Sequence, residues 1–195
     1  MFLCLSLHPC CCCTNIVRCP SYLPILSIVR VAVWSFSGGF YKRVYEGDFI
    51  PGPAFSLGEQ SKRHYSTHIY YCLGHGDVST FHKLRSDELW NFYSGRPIYV
   101  VEIDPVTKRE KKTKLGNDFE AGEVPFYVVA AGRWFGSFVV PDSELPGRED
   151  FALVGCTVSP GFDFEDFVMA KREKMKEDFP SVSPQLIDKM THPEE

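Results

Sequence analysis

A histidine and a glutamate six residues apart are the side chains of this chain that are best suited to chemistry. His82 and Glu88 lie between the turn-favouring glycines Gly76 and Gly95. An imidazole and a carboxylate on adjacent strands can bind a metal ion or transfer protons. Leu84 occupies the place where a second imidazole would share the face of His82. The segment therefore favours proton transfer or ligand binding over metal chemistry.

The surroundings of Glu88 predict a perturbed carboxyl group. If residues 88–93 form a strand, Glu88, Trp90 and Phe92 share one face. A carboxylate beside two large aromatic side chains loses solvation, which raises its pKa unless it is paired. His82 is the expected partner, and an imidazole oriented by a carboxylate can act as a general acid or base. An equally weighted alternative is a His–Glu pair that only fills polar valences in the core.

Length and composition indicate one globular domain. The chain has 195 residues, of which 44% are hydrophobic and 14% aromatic, enough for a sizeable core. Its net charge of -4 comes from 21 basic and 25 acidic residues, and the short basic cluster at 108–112 is expected to decorate a hairpin turn. Nucleic acid is therefore not an expected partner.

The cysteines and the start of the chain set the first residues apart. Six of the eight cysteines precede residue 20, and only Cys72 and Cys156 lie in the body, as in a reduced, cytoplasmic protein. The apolar stretch at 22–36 is too short to span a bilayer, so no membrane association is expected. Residues 1–36 are interpreted as an atypical leader, disordered or non-native.

The pattern beyond Gly38 is that of an all-β domain. Short runs rich in Val, Ile, Tyr, Phe and Thr alternate with Gly, Pro, Asp and Asn clusters, which favours a sandwich or barrel over βαβ units. The predicted strands span 40–45, 67–73, 81–84, 88–93, 98–103, 125–130, 134–140 and 151–158.

Loops and helices complete the predicted organisation. The loops at 46–63 and 141–150 are candidate rims of a pocket. A partly amphipathic helix is predicted within 164–179. Ser183 and Pro184 favour the start of a short helix that continues to about residue 190. The barrel domain is placed at 37–180, and 181–195 are assigned to a short C-terminal helix and tail.

The middle of the chain resembles the cupin superfamily, because Gly76, His82, Glu88 and Gly95 match its barrel motif. Segments 37–43, 66–71, 81–95 and 153–167 together resemble a small single-domain cupin family of unknown function, related in structure to dehydrorhamnose epimerases. The resemblance implies an all-β cupin barrel, that is a double-stranded β-helix or jelly roll, with C-terminal helices. It also implies a homodimer.

The chain departs from the metal centre that the resemblance implies. A typical cupin centre uses two histidines on one strand, a glutamate on the next and a third histidine on a distant strand. Leu84 and Phe135 occupy the second and third histidine positions. Asn91 stands where members of the narrower family often carry histidine. No cofactor and no resident metal are therefore expected.

The leading functional hypothesis is a metal-independent pocket for a small polar ligand, sugar-like or nucleotide-sugar-like, with isomerase or epimerase chemistry. The alternatives are a non-enzymatic binding or regulatory module and, less favoured, a metal-dependent oxygenase. Trp90 and Trp134 are of a type found more often in the core than at a ligand, and a solvated strand edge is the favoured interpretation of Arg43. The candidate catalytic residues are His82 and Glu88, and the candidate ligand-binding residues are Tyr41, Arg43, Tyr70, Ser86, Trp90, Asn91 and Trp134.

Overall fold

The computed structural model describes residues 33–50, 63–147 and 150–193. Within these ranges the chain forms eleven strands in two antiparallel sheets, which confirms the all-β fold. In chain order the strands are β1 (Val33–Trp34), β2 (Phe40–Glu46), β3 (Thr67–Gly74), β4 (Val78–Lys83), β5 (Asp87–Gly95), β6 (Ile98–Ile103), β7 (Glu110–Leu115), β8 (Phe126–Val129), β9 (Trp134–Val139), β10 (Phe151–Ser159) and β11 (Val168–Met169).

The two sheets enclose the core and the interior of the barrel. The first sheet has the order β1-β2-β3-β10-β5-β8, and the second has the order β11-β4-β9-β6-β7. Alternate residues of β5, β6, β9 and β10 point inward, so Val154 and Trp90 of the first sheet meet Ile98, Val100 and Phe135 of the second in one buried cluster. This alternation determines which side chains can reach the interior.

The outer face of the second sheet is covered by the end of the chain. Helices α1 (Arg172–Asp178) and α2 (Pro184–Lys189) pack against Phe81, Val101 and Phe138 through apolar side chains that include Met190. Because both faces of β6 are buried, its sequence is almost continuously apolar.

The expected start of the last helix is confirmed. The side chain of Ser183 accepts a hydrogen bond from the backbone N–H of Leu186, and Pro184 follows it in the first turn. Residues 184–191 therefore belong to the packed domain rather than to a loose tail, since Ile187 and Met190 are buried.

Two elements differ from the sequence-based prediction. The helix expected within 164–179 forms only as α1, preceded by a short 3-10 helix at Phe164–Asp166 and by β11. Strand β7 was not predicted, because its polar sequence lies at an exposed sheet edge and lacks apolar alternation. The basic cluster divides between the turn, where Lys108 has a positive φ, and the start of β7.

The described sheet begins upstream of the expected domain boundary. Val33 and Trp34 pair with Tyr41 and Phe40. The remainder of the predicted leader, residues 1–32, lies outside the described residues. None of the helices in the described ranges has the length and apolar character needed to cross a membrane.

We expect Met190→Ala to lower the free energy of unfolding by about 2–5 kcal/mol, because it opens a cavity between α2 and the second sheet. Urea denaturation measures this change. Val106→Ala, on an exposed turn, is the control and should alter stability by less than about 0.5 kcal/mol. Equal stability of the two variants would show that the C-terminal helices do not belong to the cooperative core.

Candidate functional site

A cavity opens between the sheets and is lined from β2, β3, β4, β5 and β10 and from residues 162–167. The volume of the cavity is about 90 Å³. Since a single water needs at least about 15 Å³, the cavity has room for a small organic ligand. Most of the lining is aromatic or aliphatic, and a few polar groups are set into it. This is the usual composition of a small-molecule site.

Glu88 supplies the main polar group of the cavity. Strand β5 lies between β10 and β8, and the side chain of Glu88 points inward with 7% of its surface exposed. Its Oε2 atom has no hydrogen-bond partner. Burial raises the pKa of Glu88 to about 7, and the neighbouring Cys156 thiol opposes this shift to a smaller extent. The carboxyl group therefore titrates near neutral pH.

His82 lies in the same cavity but is bonded elsewhere. Its Nδ1–H donates to the backbone oxygen of Thr80 at 2.7 Å, because a carbonyl can only accept. Its ring packs against Phe135 and Phe167, with centroids 4.3 and 5.1 Å away. Burial lowers the pKa of His82 to about 4. The ring is therefore neutral at physiological pH, with Nε2 as an acceptor.

The prediction that His82 pairs with Glu88 is wrong. No hydrogen bond or ion pair joins these two described residues, because the backbone of β4 itself satisfies Nδ1 of His82. The pKa of Glu88 is raised because of burial, as expected for a carboxyl group that lacks a charged partner.

Trp90 adds a second unsatisfied group beside Glu88. It lies two residues further along the same face of β5, is 2% exposed, and its Nε1–H has no hydrogen-bond partner. Edge-to-face contacts with Tyr71 and Phe135, at 6.1 and 6.4 Å between centroids, orient the indole. Buried polar atoms are nearly always paired, so these two groups are suited to a ligand that accepts from Trp90 and pairs with Glu88.

Hydroxyl groups line another part of the cavity, and sequence reasoning missed them. The Oγ atoms of Ser35 and Ser37 lie 2.9 Å apart, and Ser79 donates to Ser37 at 3.4 Å. The Tyr71 hydroxyl donates to the backbone oxygen of Gly38 at 2.8 Å. Isolated serines in a sequence carry no signal of this kind, because it is the pairing of distant segments that brings them together.

Three phenylalanines between β10 and β11 form the remaining wall. Phe162, Phe164 and Phe167 line the cavity and contact one another edge to face. Their near-alternation with acidic residues is the signal that could have identified them, whereas the spacing of Phe164 and Phe167 also fits the helix predicted within 164–179.

Four of the nine predicted site residues reach the cavity: Tyr41, His82, Glu88 and Trp90. The other five lie elsewhere, mostly because they occupy the opposite phase of the strand alternation. Tyr70 and Asn91 are on the outer face of the first sheet, Trp134 is on the outer face of the second beside Lys83, Arg43 pairs with Glu46 at 2.6 Å, and Ser86 lies in the turn between β4 and β5.

Of the two predicted pocket rims, the loop at 141–150 does not lie at this cavity in its described part, and most of the loop at 46–63 is not described. The described part of the loop at 141–150 is held elsewhere, since Asp142 pairs with Arg96 at 2.6 Å. Residues 51–62 of the other loop and residues 148–149 lie outside the described residues.

The donor set does not fit the metal centre of a typical cupin. Leu84 lines the cavity and Phe135 packs on the ring of His82, so apolar side chains fill the two remaining ligand positions. In the part of the chain that the structure describes, no three His, Cys, Asp or Glu side chains converge as metal ligands would.

Because the pKa values of Glu88 and His82 are shifted in opposite directions, the two groups make the stability of the fold depend on pH in opposite ways. The raised pKa of Glu88 makes the native state retain a proton that the unfolded state releases, which lowers stability as the pH rises from about 4.5 to 7. The lowered pKa of His82 raises stability as the pH rises from about 4 to 6.5. The two contributions largely cancel.

We expect Glu88→Gln to remove the first contribution and to leave the second. Its free energy of unfolding, relative to the natural chain, should increase by roughly 3 kcal/mol between about pH 4.5 and 8, since one pKa unit corresponds to about 1.4 kcal/mol. Urea denaturation across this range measures the difference. Glu110 is exposed on β7, so the control Glu110→Gln should differ from the natural chain in free energy of unfolding by an amount that does not change with pH. A difference that does not change with pH for Glu88→Gln would contradict the raised pKa of Glu88.

Known proteins share this architecture over most of the described chain. The solved structure of protein SO0799 from Shewanella oneidensis superposes with a TM-score of 0.73 and 31% identity, covering 88% of this chain and 97% of that one. A hypothetical protein from Leishmania major gives a TM-score of 0.73 and 29% identity, covering 86% and 97%.

A sequence relative and a family match complete the comparison. Uncharacterized protein YML079W of Saccharomyces cerevisiae is 34% identical over 116 residues, which are 59% of this chain and 55% of that protein. The chain thus matches little more than half the length of this curated relative. Residues 34–170 match the family described as Cupin superfamily (DUF985). The chain therefore belongs to the DUF985 family of the cupin superfamily.

Proposed function

We propose that the barrel binds a small, uncharged, hydroxylated ligand and that Glu88 exchanges a proton with it. The observation that carries this proposal is the buried Glu88 carboxyl, which faces the cavity with Oε2 unpaired and has a pKa raised to about 7. A general base is most effective when its pKa lies near the working pH.

The polarity of the cavity supports an uncharged ligand. No lysine or arginine occurs among the described residues that line it, so a phosphate or a nucleotide would enter without a counter-ion. The paired hydroxyls of Ser35 and Ser37 offer hydrogen bonds to alcohol groups, and the aromatic walls suit the apolar face of a sugar ring. This favours a free sugar or hydroxyketone over a nucleotide sugar.

The groups available support an isomerase-like proton shift. Ionised Glu88 would take a proton from the carbon beside a carbonyl, while the Trp90 N–H donates to the carbonyl oxygen that receives the electron pair. Protonated Glu88 would then return the proton to the former carbonyl carbon, while the hydroxyl on the carbon that lost its proton gives up its own proton to the enediolate oxygen, so that the carbonyl group moves by one carbon. One titrating carboxyl group suffices for this transfer, because both carbons exchange the proton on the same face of the substrate. Inversion at a single carbon requires a second acid on the opposite face, and neutral His82 presents only an acceptor at Nε2.

A non-enzymatic binding module is the second candidate. It is supported by the lack of a hydrogen bond between His82 and Glu88 and by the pKa of His82 near 4, which leave a single group titrating close to neutral pH in the described cavity. In that case the unsatisfied atoms of Glu88 and Trp90 would serve recognition alone.

We also propose that the chain forms a homodimer through the first sheet. Strand β8 is an edge strand, and Phe126 and Val128 project from it as exposed apolar side chains beside the exposed Tyr93. We expect light scattering to give twice the mass of the chain, and Phe126→Glu to shift the species toward monomer. A monomeric natural chain at micromolar concentration would contradict this proposal.

Solvent deuterium exchange tests the proton transfer. We expect some neutral monosaccharides or hydroxyketones to raise the melting temperature and to incorporate deuterium from D₂O beside the carbonyl, as followed by NMR. Glu88→Gln should slow the exchange by at least about 100-fold while the ligand still stabilises the protein. Glu110→Gln is the matched control.

The outcomes separate the candidates. Stabilisation by neutral ligands without exchange would favour the binding module. Stabilisation by phosphorylated ligands alone would contradict the uncharged cavity. An exchange rate that Glu88→Gln leaves unchanged would exclude Glu88 as the base.

A further inference from the structure

The segment that joins β10 to β11 has two chemically different sides. Phe162, Phe164 and Phe167 line the cavity. The carboxylates of Asp163, Glu165 and Asp166 instead converge on one guanidinium group, described below. The segment therefore forms an aromatic wall whose acidic side is fastened to the barrel; we call residues 161–167 the aromatic strap.

Arg63 is the residue to which the strap is fastened. Its side chain is 4% exposed, and its Nε donates to Asp166 Oδ2 at 2.8 Å. One terminal nitrogen donates to Glu165 at 3.0 Å, and the other lies 3.6 Å from Asp163. A planar guanidinium can satisfy several carboxylates at once, which an ammonium group cannot do with the same geometry.

The ends of the strap are held by the backbone, whereas its middle is held by side chains. At one end Gly161 N–H donates to the backbone oxygen of His64 at 2.8 Å. At the other end β11 pairs with β4. Between these points Phe162 N–H donates to Thr67 Oγ1 at 2.9 Å, and the described polar side chains of the strap contact the barrel through Arg63 and, at 3.6 Å from Asp166, through Arg85. The middle can therefore move outward without breaking either sheet.

The middle of the strap is also where the cavity meets solvent. Phe164 is 54% exposed and lies perpendicular to Phe36, which is 74% exposed, with 6.0 Å between the ring centroids. Both rings line the cavity and come from segments far apart in the chain. Two large apolar side chains that are more than half exposed at the mouth of a cavity can move apart and come together again.

We propose that the aromatic strap is the gate of the cavity, that a ligand enters between Phe36 and Phe164, and that Arg63 is the positioning residue that holds the gate closed. The inference goes beyond the proposed reaction, because it concerns access to the cavity and is independent of what Glu88 does there. Closure brings three aromatic rings against the bound ligand, so the strap selects ligands with an apolar face.

The Cys156 thiol provides a probe inside the gate. It is buried and lines the cavity, whereas Cys72 is equally buried on the outer face of the first sheet. The full-length protein is treated with methyl methanethiosulfonate, a small uncharged thiol reagent, and modification of each cysteine is followed by peptide mass spectrometry. Cys156 reports opening of the gate, and Cys72 reports unfolding of the sheet.

We expect Arg63→Lys to accelerate modification of Cys156 by at least about tenfold, because the ammonium cannot hold three carboxylates. Glu165→Gln removes one exposed partner of Arg63 and should accelerate it by up to about fivefold. Glu173→Gln is the matched control, because Glu173 is an equally exposed acid that pairs with Lys176 on α1. Modification of Cys72 should keep its natural rate in all three variants.

Natural rates for Cys156 in both Arg63→Lys and Glu165→Gln would overturn the proposal. Parallel acceleration of Cys72 would overturn it as well, because Arg63 would then support the whole sheet rather than the gate. The Glu165 variant keeps the test decisive if Arg63→Lys folds poorly. None of these outcomes depends on whether Glu88 transfers a proton.

Discussion

Glu88 is fixed on β5 between β10 and β8, so its carboxyl cannot leave the barrel interior without breaking two ladders of backbone hydrogen bonds. The group is enclosed by aromatic and aliphatic side chains, and no described cation balances it. The free-energy cost of ionising it there is what raises its pKa. The proposed ligand and the proposed proton transfer both rest on this one buried carboxyl group, and its raised pKa contributes, together with the lowered pKa of His82, to the pH dependence of stability.

The interior of this barrel differs from that of a metal-binding cupin at two positions. Leu84 and Phe135 fill positions at which a metal-binding cupin has imidazoles, and both help to bury the two titratable side chains that remain. Apolar side chains at these two positions contribute to the desolvation that raises the pKa of Glu88 and lowers the pKa of His82. Membership of the superfamily identifies the architecture, whereas the activity depends on the side chains within it.

The sequence predicted most of the barrel, because alternation along β3, β5 and β10 is clear and because the motif around His82 and Glu88 is specific. It placed Glu88 and Trp90 on one face correctly, since that face follows from the period of the strand. It could not predict the bond from His82 to Thr80, which depends on the irregular pairing between β4 and β9. Nor could it locate Tyr70, because alternation separates two faces without saying which one is inside. The strap was missed because phenylalanines and acids in close succession fit a helix as well as an extended segment.

The backbone contacts of Phe81 couple the site to the end of the domain. Its N–H donates to the backbone oxygen of Met190, and its own oxygen accepts from Ala170 N–H. The strand that carries His82 is therefore completed by residues made long after it. At a synthesis rate of about 5–20 residues per second, the hundred or so residues between them take roughly 5 to 20 s to translate. During that interval on the ribosome β4 lacks the backbone partners that complete its edge, and the first sheet cannot close either, because β10 must still be made and inserted between β3 and β5.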